Sequence, residues 1–184
     1  MSLYDNFIGC MVLIHNKKGE LLTKTRIVDY DRKYQMIKVE HMPDLDRNQI
    51  LKLFILAHPS PCEYKGRIVR IGKEKEIALF SGEEKEQRQA IRYKIDMSAI
   101  IENVVEEGIL KPASPLIKVD ILDISTHGFS FIDEFSKWNE GDILHIRPSV
   151  GIEESPQVWV VQVVRSSLME DEKPIYGCRF LLVR

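Results

Sequence analysis

Tyr93-Lys94-Ile95-Asp96-Met97-Ser98-Ala99-Ile100-Ile101 is the stretch whose reading decides the fold. Tyr93, Ile95, Met97, Ala99 and Ile101 alternate with Lys94, Asp96 and Ser98, so an extended chain here has one apolar and one polar face. Downstream the same period recurs in Ile117, Val119 and Ile121, breaks at Leu122, and resumes at Phe129 and Phe131 beyond Gly128. Gly141-Asp142 opens a strand from Ile143 to Ile146, Val158 to Val164 is the most strand-like run of the chain, and Tyr176 to Val183 closes it. Six or so short strands with polar turns and no convincing amphipathic helix predict a small antiparallel barrel.

Upstream, Ser81 to Gln87 contains no apolar residue and has the composition of a solvated connection. Before it lies a second series of strands. Cys10, Val12 and Ile14 share a face, His15 to Glu20 has turn composition, and Leu21, Thr23, Thr25 and Ile27 oppose Leu22, Lys24, Arg26 and Val28. Gln35, Ile37 and Val39 form a third strand. Asp44 to His58 fits a capped helix or, from Ile50 to Leu56, a buried strand, and the strand is preferred. Arg67 to Ile71 and Glu76 to Phe80 follow, with Gly72 to Lys75 as a turn. The spacing leaves no room for crossover helices, so the pairing is antiparallel. The expectation is an all-β chain of two small antiparallel barrels: residues 1–82, a linker 83–92, and residues 93–184.

A chain of 184 residues with 44% hydrophobic and 29% charged residues has ordinary globular composition. A net charge of −2 lacks the basic excess that duplex nucleic acid requires, while leaving room for a small anion. The opening Met1 to Phe7 has no basic leader before an apolar run, and no run is long enough to insert in a membrane. Cys10, Cys62 and Cys178 are odd in number and widely spaced, which fits reduced thiols and a cytoplasmic protein. The five histidines lack metal-ligand spacing, and no acidic pair, Gly-x-Ser-x-Gly elbow or phosphate loop suggests catalysis, so neither a metal, a cofactor nor an enzyme is expected.

Chemistry concentrates at the seam between the two strand series. Arg88 and Arg92 share a face whether the chain there is helical, with Cα atoms about 6 Å apart, or extended, with about 13 Å between them. An arginine fork donates paired hydrogen bonds to phosphate or to the O6 and N7 of guanine and stacks on a base. Two exposed arginines on a linker would look the same. Asp123-Ile124-Ser125-Thr126-His127-Gly128 makes a hairpin turn on local grounds, with Asp and Ser side chains folding back on amides and Gly128 free to take positive φ. In extended chain Asp123 and Ser125 point to one side, ready to accept from a base edge and donate to a phosphate. Trp159 is a core aromatic or, as a weaker candidate, a stacking platform.

Arg88-x-x-x-Arg92 followed by Asp123-x-Ser125-x-x-Gly128 resembles the signature of PilZ domains, bacterial receptors for cyclic di-GMP. The likeness extends through Gly128-Phe129-Ser130-Phe131 and Tyr176-Gly177-Cys178-Arg179-Phe180 and covers the second half of the chain. The first half more loosely resembles the N-terminal barrel of YcgR-like flagellar brake proteins. The resemblance implies that Arg88 and Arg92 hold guanine and phosphate from the linker, that Asp123 and Ser125 bind from the barrel surface, and that Gly128 shapes the loop. It also implies that Gln87, just before the first arginine, bears on whether one or two ligands bind. The implied protein is a cyclic di-GMP receptor whose ligand resets inter-domain geometry and so regulates a protein partner, such as flagellar motor or polysaccharide machinery. Homo-oligomers remain compatible with this reading. Two alternatives stay open: an adaptor that binds protein without nucleotide, and a barrel for single-stranded nucleic acid, which should show an aromatic platform on a basic groove.

Overall fold

A computed structural model describes residues 7–42, 44–70, 76–80, 91–135, 138–150, 153–154 and 157–181. Backbone proximity divides the chain into two units, Met1–Ala57 with Pro61–Arg88, and His58–Ser60 with Gln89–Arg184. Most of the expected linker 83–92, including Gln87 and Arg88, lies outside the described residues, as does the expected turn from Gly72 to Lys75. The described chain is all β. No helix among the described residues is long and apolar enough to cross a membrane.

The first unit contains β1 (Met11–His15), β2 (Leu21–Asp31), β3 (Met36–Val39), β4 (Ile50–Ile55), β5 (Cys62–Arg70) and β6 (Glu76–Phe80). They form a closed barrel in the order β1-β2-β3-β6-β5-β4, with β1 and β4 sealing it from Val12↔Ile55 to His15↔Lys52. Closure removes the sheet edges that would otherwise leave backbone amides unpaired. Its core takes Cys10, Val12 and Ile14 from β1 and its approach, Ile27 from β2, Ile37 and Val39 from β3, and Leu51, Leu53 and Ile55 from β4. These are the alternating faces visible in the sequence. The ambiguous segment resolves as the strand Ile50–Ile55, and β5 begins at Cys62, five residues before its apolar alternation becomes readable.

The second unit contains β7 (Tyr93–Glu106), β8 (Ile109–Ile124), β9 (Gly128–Ile132), β10 (Ile143–Val150), β11 (Glu153–Glu154), β12 (Trp159–Leu168) and β13 (Pro174–Phe180). The sheet order is β11-β10-β12-β13-β9-β8-β7, and pairing of β10 with β7 closes a six-stranded antiparallel barrel with β11 appended. Arg147 on β10 and Glu102 on β7 tie this closure: Nε and Nη2 of the arginine donate to the two carboxylate oxygens, the latter at 3.2 Å. β7 and β8 run on well past Ile101 to a two-residue turn at Glu107 (φ 52°) and Gly108 (φ 76°). Positive φ at both positions suits the twist of a tight hairpin.

One aromatic cluster anchors the strands that will frame the site. Trp159, Phe129 and Phe180 pack with ring centroids 5.2–5.8 Å apart, and Phe131 stacks against Tyr176 at 5.4 Å. Trp159 is fully buried, 0% exposed, so it offers no ring face to a base. The weaker expectation that it stacks on a ligand is therefore corrected: it is core, and truncating such a residue costs on the order of 3–5 kcal/mol.

Candidate functional site

Arg92 stands immediately before β7, and the first pairs of that strand set Tyr93 against Ile124 and Lys94 against Asp123. Antiparallel pairing thus folds the end of β8 back beside the start of β7. Across 31 residues of sequence, Arg92 Nη1 donates to Asp123 Oδ1 at 3.3 Å. The arginine side chain is 56% exposed and the aspartate 28%, so solvent screens the pair and it contributes well under about 1 kcal/mol. An incoming ligand could open it at little cost.

The phase break at Leu122 proves to be a register shift between Ile121 and Asp123 in the β8–β9 ladder. A bulge of this kind re-aims the next side chain. Val119, Ile121 and Ile124 all remain buried while Asp123 between them reaches the surface beside Arg92. The shift is what lets an apolar strand present a carboxylate at its end.

Ser125 is buried, and its hydroxyl is the hub of the turn. Oγ accepts from the amides of His127 at 3.2 Å and Gly128 at 3.3 Å and donates to the Gly128 carbonyl at 3.1 Å, alongside the backbone bond from Ser125 N to Gly128 O at 2.8 Å. Its hydroxyl donates to the turn's own carbonyl, so the side chain organises the loop that carries Asp123.

Gly128 corrects a second expectation. Its φ lies outside the left-handed region, so conformational freedom is not why glycine stands here. It pairs with Arg179 on β13, and a Cβ in its place would stand 1.9 Å from the Cys178 carbonyl oxygen and 3.1 Å from the Arg179 Cα. Only glycine lets β13 come this close to the turn. Behind that contact the Cys178 thiol is pushed up to about 12 by burial, far from thiolate reactivity.

The same contact places a residue that the sequence did not single out. Arg179 is exposed between the buried Cys178 and Phe180, and its Nε and Nη2 both donate to Gln162 Oε1, at 3.0 and 2.5 Å. Cross-strand register puts it next to Gly128. In the sequence an arginine between apolar residues of a strand signals only an outward side chain; its neighbour across the ladder is invisible there.

Among the described residues, then, Arg92, Asp123, Ser125 and Gly128 come together at one end of the second barrel, and Arg179 joins them. Trp159 does not. Gln87 and Arg88 lie outside the described residues. No group of His, Cys, Asp and Glu among the described residues could hold a metal ion.

No protein-family model matches the chain, and no curated protein matches it. Among solved structures it is similar to the K. pneumonia MrkH–c-di-GMP complex, with 10% identity, a TM-score of 0.41, and coverage of 95% of this chain and 80% of that one. It is also similar to the Bacillus subtilis inhibitor of motility MotI/DgrA, with 15% identity, a TM-score of 0.36 and coverage of 96% and 90%. YcgR of Escherichia coli in complex with c-di-GMP gives 10% identity, a TM-score of 0.38 and coverage of 96% and 77%. Superposition at this level leaves any assignment to the residues themselves.

Proposed function

We propose that the second barrel is a PilZ-type receptor for cyclic di-GMP, with Arg88, Arg92, Asp123, Ser125 and Gly128 as the ligand site and Arg179 beside it. The observation that carries this reading is the meeting of Arg92 and Asp123 at 3.3 Å, which joins the two halves of the motif over the Ser125 turn. An arginine fork and a carboxylate side by side match the two ends of a guanylyl phosphate. The carboxylate accepts paired N–H groups from a guanine edge, and the guanidinium donates to the phosphate or to guanine O6 and N7. Each replaces a partner it already holds weakly, because the Arg92–Asp123 pair is solvent-screened and easily opened.

In this reading the protein is a receptor and not a catalyst. Ligand held between the arginine-bearing segment and the Asp123 turn would restrict the first barrel relative to the second, and a change of geometry follows only if the ligand favours one arrangement. The readout would be a protein partner, by family likeness one controlling motility or exopolysaccharide, in the cytoplasm. The alternative of single-stranded nucleic acid is disfavoured by the net charge of −2, and Trp159 in the core offers it no stacking face.

Calorimetry with cyclic di-GMP tests the reading. The unaltered chain should bind, and Arg88→Ala or Arg92→Ala should each weaken binding by about 30-fold or more, the loss of charge-assisted fork contacts. Failure of the unaltered chain to bind at low salt would sink the proposal; undiminished binding by both variants would move the site elsewhere.

A further inference from the structure

At the opposite end of β9 and β13 from the Ser125 turn, the second barrel carries a groove of about 600 Å³ lined by Phe135, Trp138, Leu168, Pro174 and Tyr176, with Glu134 and Glu172 on its rim. Its apolar floor is unusual for how openly it is held. Phe135 is 94% exposed and Leu168 69% exposed, and Met169 beside them is also exposed. Exposed apolar side chains gathered in one place inside a polar rim mark an interaction surface.

Here a buried aspartate ties Phe135 and Trp138 together. Asp133, 2% exposed, accepts from the Phe135 amide through Oδ1 at 2.9 Å and from the Trp138 indole Nε1 through Oδ2 at 2.9 Å. Burying a carboxylate is costly unless its hydrogen bonds are satisfied, and these two donors satisfy it while fixing Phe135 and Trp138. On the facing turn, Met169 N bonds to Lys173 O and Glu172 N to Met169 O, at 2.8 and 3.0 Å, with Glu172 at positive φ (63°). Phe135 and Trp138 on one side of the groove and the Met169–Lys173 turn on the other are therefore each held by hydrogen bonds.

Among the described residues the charge around it is predominantly acidic. Glu134, Glu170, Asp171 and Glu172 stand against a single described lysine, Lys173, whose ammonium is already bridged to Glu134 at 3.0 Å and Asp171 at 3.8 Å. An apolar slot with an acidic rim complements an apolar side chain flanked by lysine or arginine. It repels an anionic membrane surface, and a second copy of the same acidic rim.

We propose that this groove is a docking site for a protein partner that offers an apolar anchor within a basic segment. The site is separate from the proposed nucleotide site and stands without it.

The test uses the full chain, 15N-labelled, and a short fluorescein-tagged peptide of leucine and tryptophan interspersed with lysine, beside a control with glutamate for lysine. The basic peptide should bind, shift the Trp138 indole resonance and the amides of Glu134, Phe135, Trp138, Asn139 and 166–176, and leave Ser125–Gly128 unmoved; the acidic control should not bind. Phe135→Ser together with Leu168→Ser should weaken binding about tenfold or more. Both side chains are exposed, so the fold will tolerate the changes, and Glu172→Lys gives a second, purely electrostatic variant that should also weaken binding. Absence of binding, binding indifferent to these variants, or shifts elsewhere would overturn the proposal. So would sedimentation as a dimer dispersed by Phe135→Ser, which would assign the groove to self-association, or stronger capture by anionic vesicles than by the peptide.

Discussion

Two turns in this molecule use the same local chemistry to different ends. Between β1 and β2, Asn16 Oδ1 accepts from the amides of Lys18 at 2.9 Å and Glu20 at 3.0 Å; between β8 and β9, Ser125 Oγ accepts from His127 and Gly128. Each turn has one glycine that matters. Gly19 has φ +88° and open space where a Cβ would go, while Gly128 has an ordinary φ and no space at all. The first turn is closed by its own residues. The second is closed by β13 pressing from outside and by Arg92 arriving from before β7. A turn complete in itself is a connection, whereas one finished by distant strands collects side chains from three parts of the chain and can become a site.

That contrast can be broken most directly at the glycines. Gly128→Ala should force β9 and β13 apart and cost about 3 kcal/mol or more, as overpacking against a rigid backbone does. Gly19→Ala should cost only about 1 kcal/mol, the strain of a left-handed conformation. Urea unfolding followed separately for the two barrels measures both, and equal losses would erase the distinction.

At the hubs the difference should narrow. Ser125→Ala removes the buried hydroxyl that the amides of His127 and Gly128 share and should cost about 1–2 kcal/mol, against about 1 kcal/mol or less for Asn16→Ala on an exposed turn. Ligand affinity should fall with the first and be untouched by the second, by calorimetry.

Histidines beside the turns supply a test by pH. His15, 4% exposed at the end of β1, has its pKa lowered from 6.5 chiefly by burial and also by Lys52, opposed by a backbone hydrogen bond at Leu13. A depressed histidine favours folding while both states are neutral, so its contribution is complete above about pH 6.5 and is lost as pH falls below that value. The slope is at most about 1.4 kcal/mol per pH unit, one proton's worth. Stability of the first barrel should decline from pH 7 to 5, and His15→Gln should flatten that limb; an unchanged slope would assign it to other groups.

The smallest effect belongs to the ion pair. Arg92→Ala should change stability by no more than about 0.5 kcal/mol, because its bond to Asp123 is screened by solvent. Its ligand affinity should nevertheless collapse. A variant that unfolds in step with its loss of binding would show that Arg92 is structural.

Much of this was legible in the residues before any contact was known. Alternation from Tyr93 to Ile101 is a strand because only a period of two divides those residues into a buried and a solvated face, and the structure buries Ile95, Met97, Ala99 and Ile101 as that division requires. The break at Leu122 was equally visible, and it marks the bulge that turns Asp123 outward. Less was legible where two causes leave the same letter. Glycine serves both positive φ and close approach, and tryptophan serves both core and surface, so Gly128 and Trp159 were each open to a second reading that the neighbouring strands had to remove.

By itself the sequence determined the all-β class, most of the strands and the spacing of the arginine and Asp-x-Ser-x-x-Gly motifs, because those follow from local periodicity and turn chemistry. Tertiary structure alone decided which strands pair to close each expected barrel, that β13 presses on Gly128 and brings Arg179 with it, and that Arg92 meets Asp123. Each of those is a pairing between residues far apart in the chain, and register between strands is set by the packing of whole faces, which no single stretch of sequence contains.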